Sequence, residues 1–370
     1  MSLRIPAELL PADGRFGSGP AKIRTEALEY LALRSDIMGT SHRRDPVKRL
    51  VADVQQGLAD LYDLPDGYEV VLGNGGSTVF WDAAVCSLIE QRSAHAVFGE
   101  FSRKFATAAK RAPFLAGQAI TEAPAGSSCL PEAQDGVDAY AWPQNETSTG
   151  ACAPVERPDG DGLVLVDATS AAGGMRADIS QTDVYYFAPQ KNLASDGGLW
   201  CAFASPAAIE TAAKIADSGR WVPESLDFSV AVRNSRAHQT LNTPAIATLL
   251  LLDEQLTWLH GNGGLGFAVR RCSGSSQMLY DWAERHPHAR CFVTEPGRRS
   301  PVVATIDFDD SVNAAHLCEV LRSNGIVDIE PYRGLARNQI RVGTYASVDP
   351  SDVEALIACL DWAIERLISA

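Results

Sequence analysis

The chain has 370 residues, 46% of them hydrophobic and 21% charged, the make-up of an ordinary globular protein with room for two domains. Its 32 basic and 46 acidic side chains leave a net charge of −14, which excludes a general nucleic-acid or membrane-surface binder. An anionic ligand must therefore be met by a local cluster of bases set against the global field. The longest apolar run, AIATLLLL at 245–252, is too short to span a bilayer, and the opening MSLRIPAELLPADGR has no signal-peptide core. A cytoplasmic protein is expected. Eight cysteines are scattered without a C-x-x-C pair or zinc-ligand spacing, so reduced buried thiols and no metal site are expected.

Strand-like and helix-like stretches alternate along the chain, which predicts an α/β protein with a largely parallel sheet. Asp45-Pro46 opens a helix, with Asp45 as its cap, and Val47, Leu50, Val51, Val54, Leu58 and Leu61 follow at helical spacing. YEVVLGNGGST reads as a strand entering a glycine loop, and VFWDAAVCSLIE as the helix after it. AHAVFGEFSRKFATAAKRA is a second strand, turn and helix. DGLVLVDATSAAGG is a buried strand ending on Asp167, and TDVYYFAPQK one ending on Lys191. TPAIATLLLLDEQLTWLH reads as one long helix, interrupted by GNGGLGF. Beyond it SPVVATIDFDD, IVDIEPYRG and NQIRVGTY read as strands, with NAAHLCEVLRSNG and DPSDVEALIACLDWAIERLI as helices. The expected division is a large domain over 17–260 and a smaller α/β domain over 261–370, joined by the N-terminal segment 1–16.

Asp167 and Lys191 thus stand at the C-terminal ends of two sheet strands, the edge where open α/β sheets hold ligands. An amine and a carboxylate placed there suit pyridoxal phosphate, whose aldehyde takes a lysine and whose ring nitrogen takes an acid partner. Taken alone, the pair reads more readily as an idle ion pair at a strand edge. GNGGST (73–78) lies between a strand and a helix, so Gly76, Ser77 and Thr78 can aim N–H groups at a phosphate, or form a plain tight turn. The spacing is not that of a P-loop. Phe101, after a strand, can stack on a planar ring or fill a core. GNGGLG (261–266) matches a dinucleotide fingerprint in form only. It follows a helix, and it is read as a cap and inter-domain loop. His42-Arg43-Arg44 is either a solvated basic turn or an anion-capturing one.

FAPQKNLASDGG, LVDATSAAGG, WPQNETSTG, GTSHRRDP and LNTPAIATLLLL occur in the order and spacing of the phosphoserine aminotransferases, which the chain resembles over about 15–368, most closely their actinobacterial branch. The resemblance implies a fold-type I, class V transferase with a mainly parallel seven-stranded sheet, pyridoxal 5′-phosphate as cofactor, and a homodimer with sites at the subunit interface. It implies Lys191 as the Schiff-base lysine and Asp167 as partner of the ring nitrogen. Phe101 falls where an aromatic stacks on the ring, and Thr147 where a threonine meets the phenolic oxygen. Gly76, Ser77 and Gln190 match phosphate ligands; Asn242 and Thr243 match residues reaching that phosphate from the neighbouring subunit. His42 and Arg43 match a pair that grips the substrate phosphate across the interface, and Arg341 the arginine that forks the α-carboxylate. The family's Gly-His-Arg segment before that arginine is replaced here by YRGLARNQIR, so Arg333 or Arg337 stands in for it. The implied reaction moves an amino group from L-glutamate to 3-phosphohydroxypyruvate. Related enzymes with unphosphorylated substrates, and a non-catalytic pyridoxal-phosphate-fold module, are the competing readings.

Overall fold

The computed structural model describes residues 3–369. After helix α1 (Thr25–Leu33), α2 (Asp45–Tyr62) leads into β1 (Glu69–Asn74), α3 (Ser77–Ser87), β2 (Arg92–Val97) and α4 (Glu100–Arg111). Strands β3 (Gly117–Glu122) and β4 (Ala139–Pro143) precede a two-residue hairpin, β5 (Asn145–Glu146) with β6 (Ala151–Cys152). Next come β7 (Leu163–Asp167), β8 (Val184–Phe187), β9 (Leu199–Ala204), α5 (Pro206–Asp217) and α6 (Phe228–Arg236). The C-terminal part carries α7 (Ile246–Gly261), α8 (Gly264–Arg285), β10 (Ala289–Cys291), β11 (Val303–Phe308), α9 (Ala314–Ser323), β12 (Gln339–Gly343) and α10 (Pro350–Ile368).

Seven strands form one sheet in the order β1-β9-β8-β7-β4-β2-β3. Pairing is parallel from β8 to β3, and β9 is antiparallel to both its neighbours, so six strands run one way and β9 the other. Alternation along each strand divides the core between two faces. Val70, Leu72, Tyr140, Trp142, Val164, Val166, Tyr185 and Phe187 point to the face covered by α2 and α7. Val71, Ala139, Ala141, Leu163, Leu165, Val184 and Tyr186 point to the face covered by α3 and α4. A separate cluster joins Ile5 and Phe16 to β11, β12, α9 and α10. The long helix α8 spans both, with Ala268 and Cys272 in one core and Leu279 to Ala283 in the other.

Three local expectations need correction. Asp45 is the first residue of α2 and not its cap: extended Arg44 holds that position, with no side-chain cap, and the Asp45 carboxylate meets the helix dipole from inside the first turn. β8 stops at Phe187, because Pro189 has no N–H to continue the ladder, and Lys191 lies in the turn beyond. IVDIEPYRG forms no strand. Asp328 takes a positive φ of 65°, which breaks extended pairing, and Val327 makes only an isolated bridge to Arg15.

Candidate active site

Six of the seven strands point their C-terminal ends to one edge, and the site is assembled there. Asp167 ends β7 opposite Pro143 of β4, and its side chain is buried. One carboxylate oxygen accepts from the Thr169 N–H at 2.9 Å and from the Thr169 hydroxyl at 2.5 Å. The other accepts from the Trp81 indole at 3.3 Å. Burial pushes the Asp167 carboxyl above its usual pKa, and the bonds from Thr169 and Trp81 pull against it. The Thr169 hydroxyl also meets that of Ser77 at 2.6 Å, linking Asp167 to the start of α3.

Lys191 is held by the turn that follows β8. Ala194 N–H donates to the Lys191 carbonyl at 2.9 Å and Ser195 N–H to that of Pro189 at 3.1 Å. Asn192 accepts from Ala346 N–H, and the Ser195 hydroxyl donates to the Thr248 carbonyl. Asn192 and Ser195 are therefore buried fasteners, which anchor the turn that carries the lysine. Its amine donates to the Ser18 carbonyl at 2.9 Å and lies 5.8 Å from the centre of the Phe101 ring. Burial first, and then Arg341, lower the Lys191 pKa to about 8, against an upward pull from Asp167 and Glu146. Only a glycine fits at 19, where φ is 137° and a Cβ would fall 2.1 Å from the lysine nitrogen.

A cavity of about 420 Å³ is walled by Gly76, Ser77, Phe101, Thr147, Asp167, Gln190 and Lys191 together with Thr78, Trp81, Asn145 and Thr169. At one end α3 begins with no side-chain cap, so its first amides are free for an anion. The side-chain oxygens of Gln190 and Asn145 are buried without partners. The Thr147 hydroxyl donates to Ser170 at 2.7 Å. Free amides, unpaired amide groups, a carboxylate, an amine and an aromatic wall make a donor set that fits pyridoxal phosphate. A second cavity of about 460 Å³ shares the Phe101 and Lys191 walls and adds Tyr332, Arg333 and Arg341. Arg341 donates to the Thr147 carbonyl at 3.0 Å while its buried Nε has no partner, leaving part of the guanidinium for a ligand.

The remaining expected residues lie elsewhere. His42, Arg43, Asn242 and Thr243 form a second group beside Asn74, and none of them lines the cavity of their own chain. His42 Nδ1 is 3.1 Å from the Thr243 hydroxyl, its Nε2 is without a partner, and Asn74 donates to the Thr243 carbonyl at 3.2 Å. Burial, then Arg43, depress the His42 pKa. Arg337 does not join the site: it forks Asp307 and covers the Phe292 ring, outside both cavities. Sequence reading missed Trp81, Thr169, Ser170 and Tyr332. Thr169 had a usable signal, two residues past a strand-ending aspartate, and Trp81 stands one helical turn after Ser77. Tyr332 gave none.

The aminotransferase class-V family model matches residues 28–330. The chain is 57% identical over 371 residues to the phosphoserine aminotransferase of a Nocardioides species, with 99% of each chain covered. A relative from Mycolicibacterium vanbaalenii is 57% identical over 368 residues, again with 99% of each covered. Among solved structures, the phosphoserine aminotransferase of Cytophaga hutchinsonii superposes with a TM-score of 0.88 at 20% identity, over 95% of this chain and 99% of that one, which speaks for the fold. The chain belongs to the class-V aminotransferases.

Proposed function

We propose that the chain is a phosphoserine aminotransferase of serine biosynthesis, a cytoplasmic homodimer that exchanges the amino group of L-glutamate for the keto oxygen of 3-phosphohydroxypyruvate by a ping-pong route. The supporting observation is the convergence of Lys191, Asp167, Thr147, Phe101 and the uncapped start of α3 on one cavity, with Arg341 at its mouth. Bound pyridoxal phosphate supplies an aldehyde that accepts an amino group and a ring that withdraws electrons.

In this reading Lys191 is the proton carrier. A pKa near 8 leaves a usable fraction of free amine close to neutrality, and the Ser18 carbonyl gives that amine a resting partner. Asp167, steadied by Thr169 and Trp81, would serve as the acid partner that keeps the ring nitrogen protonated. The start of α3, Ser77 and Gln190 hold the cofactor phosphate. Arg341 forks the substrate carboxylate, a task suited to a planar guanidinium. His42 and Arg43 act on the substrate phosphate, and Asn242 and Thr243 on the cofactor phosphate, each in the partner's site. Arg333, on the wall of the outer cavity, is the residue of YRGLARNQIR placed to assist.

A second reading rests on that same loop. It carries no histidine, and Arg337 is spent on Asp307, which favours an unphosphorylated substrate of the serine or alanine–glyoxylate kind. Titrating the visible absorbance band of the purified protein separates the two. Loss of the band with O-phospho-L-serine and L-glutamate, but not with L-serine or L-alanine, supports the proposal. Loss with serine or alanine replaces it with the second reading, and no band after adding pyridoxal phosphate ends both.

A further inference from the structure

Glu146 is fully buried, and no Lys, Arg or His nitrogen forms an ion pair with it among the described residues. Five donors serve its carboxylate. Oε1 accepts from Phe101 N–H at 3.3 Å, Ser148 N–H at 3.2 Å and the Ser148 hydroxyl at 2.6 Å; Oε2 accepts from Ser102 N–H at 3.0 Å and the Ser102 hydroxyl at 2.9 Å. The Ser148 oxygen in turn accepts from Glu100 N–H at 3.1 Å. All three leading amides of α4 are thus taken by the end of β5 and the turn that follows it. A helix N-terminus is a natural place for an anion, but here the anion comes from a distant segment and not from the helix's own cap. Gly99 makes room for it: a Cβ there would fall 2.3 Å from the Glu146 side chain.

The two segments joined in this way both carry walls of the cavity. Phe101, whose N–H is bound by Glu146, provides the aromatic wall. On the other side of Glu146, Asn145 and Thr147 each bond Ser170 at 2.7 Å, and the Thr147 carbonyl holds Arg341. No other bond from the turn reaches the Phe101 backbone directly. We infer that Glu146 is a positioning residue: its carboxylate sets the height of the Phe101 ring over the cavity relative to Thr147 and Arg341, and so sets how tightly a planar ring is gripped. It touches neither substrate nor cofactor. The inference rests on the proposed use of this cavity for pyridoxal phosphate.

Glu146→Gln tests it, because it keeps the shape but turns an N–H₂ toward donors. The measurement is the dissociation constant of pyridoxal phosphate, read from its visible band, in the wild type, Glu146→Gln, Phe101→Ala and the double variant. Loss of one charge-assisted clamp acting through Phe101 should weaken cofactor binding about tenfold in the wild-type background and less than about twofold once Phe101 is gone. A tenfold loss in both backgrounds overturns the inference and leaves Glu146 a merely structural acid. So does an unchanged constant. Should Glu146→Gln fail to fold, Ser148→Ala, which removes the hydroxyl donor to Oε1 and the acceptor of the Glu100 N–H, is put through the same cycle with the same readings. A wild-type chain that forms no band at all overturns the cofactor proposal and this inference together; a normal wild-type band with an additive cycle overturns this inference alone.

Discussion

The cavity under Lys191 and the group around His42 were expected from the same sequence, yet they are built in opposite ways. In the cavity each side chain proposed to act on the cofactor is fastened by others: Asp167 by Thr169 and Trp81, Lys191 by its buried turn, Thr147 by Ser170. His42 and Arg43 lie near the surface, each with a single side-chain partner, and the remaining His42 nitrogen has none. The first region is organised by its own chain before any ligand comes. The second, in the proposed homodimer, would face a site of the neighbouring chain. Preorganisation lowers the barrier where a group must shift protons, and a group that only has to attract a charged ligand needs less of it.

The sharpest way to break this contrast is Lys191→Ala, which should lower turnover by roughly 10⁴ or more while leaving the thermal midpoint close to that of the wild type, as expected for a group used as base and nucleophile. Appreciable residual turnover would remove the lysine from the account. A pH series sharpens it further. The free amine of Lys191 grows as pH rises to about 8, so the rate at which the cofactor-free chain captures pyridoxal phosphate should climb about tenfold per unit below that point and level off above it. A rate still climbing beyond pH 10 would mean that burial does not lower this lysine. Arg43→Ala should act on one substrate only, raising KM for the phosphorylated partner about tenfold and that for glutamate much less, as loss of a charge-assisted contact does. Equal effects would argue against a phosphate role. The smallest catalytic effect is expected from Arg337→Ala, with KM values within about twofold of wild type. It should cost about 1–3 kcal/mol of stability, because Asp307 stays buried with only the Gln339 amide at 2.8 Å and the more distant Arg290 at 3.8 Å as partners, and denaturant unfolding will measure this.

These two regions also differ in how far they could be read from the sequence. Asp167 and Lys191 were legible because an apolar run ending abruptly on a charged residue marks a strand edge, and because glycine, serine and threonine before a helix mark an anion cradle. The family resemblance added Thr147, Gln190 and the substrate arginines. Trp81 and Glu146 were hidden, since their roles come from contacts across 86 and 45 residues that no local pattern announces, whereas Thr169 stands only two residues past Asp167. Arg337 failed as a candidate because proximity in sequence to Arg341 says nothing about side-chain direction: Arg337 lies before β12, just after the left-handed Ala336, and a buried aspartate of β11 claims it. The strand expected over IVDIEPYRG failed at Asp328, whose left-handed backbone has no signature as plain as a glycine.

The claim that the two regions complete each other across subunits has one direct measurement. Lys191→Ala and Arg43→Ala chains, the first inactive and the second crippled when phosphoserine is well below the wild-type KM, are co-expressed and purified together, and turnover at that low phosphoserine concentration is measured against the separate variants. Random pairing places one unaltered site in each mixed dimer, so the account predicts recovery to about a quarter of wild-type activity. Activity no greater than the sum of the separate variants would contradict it.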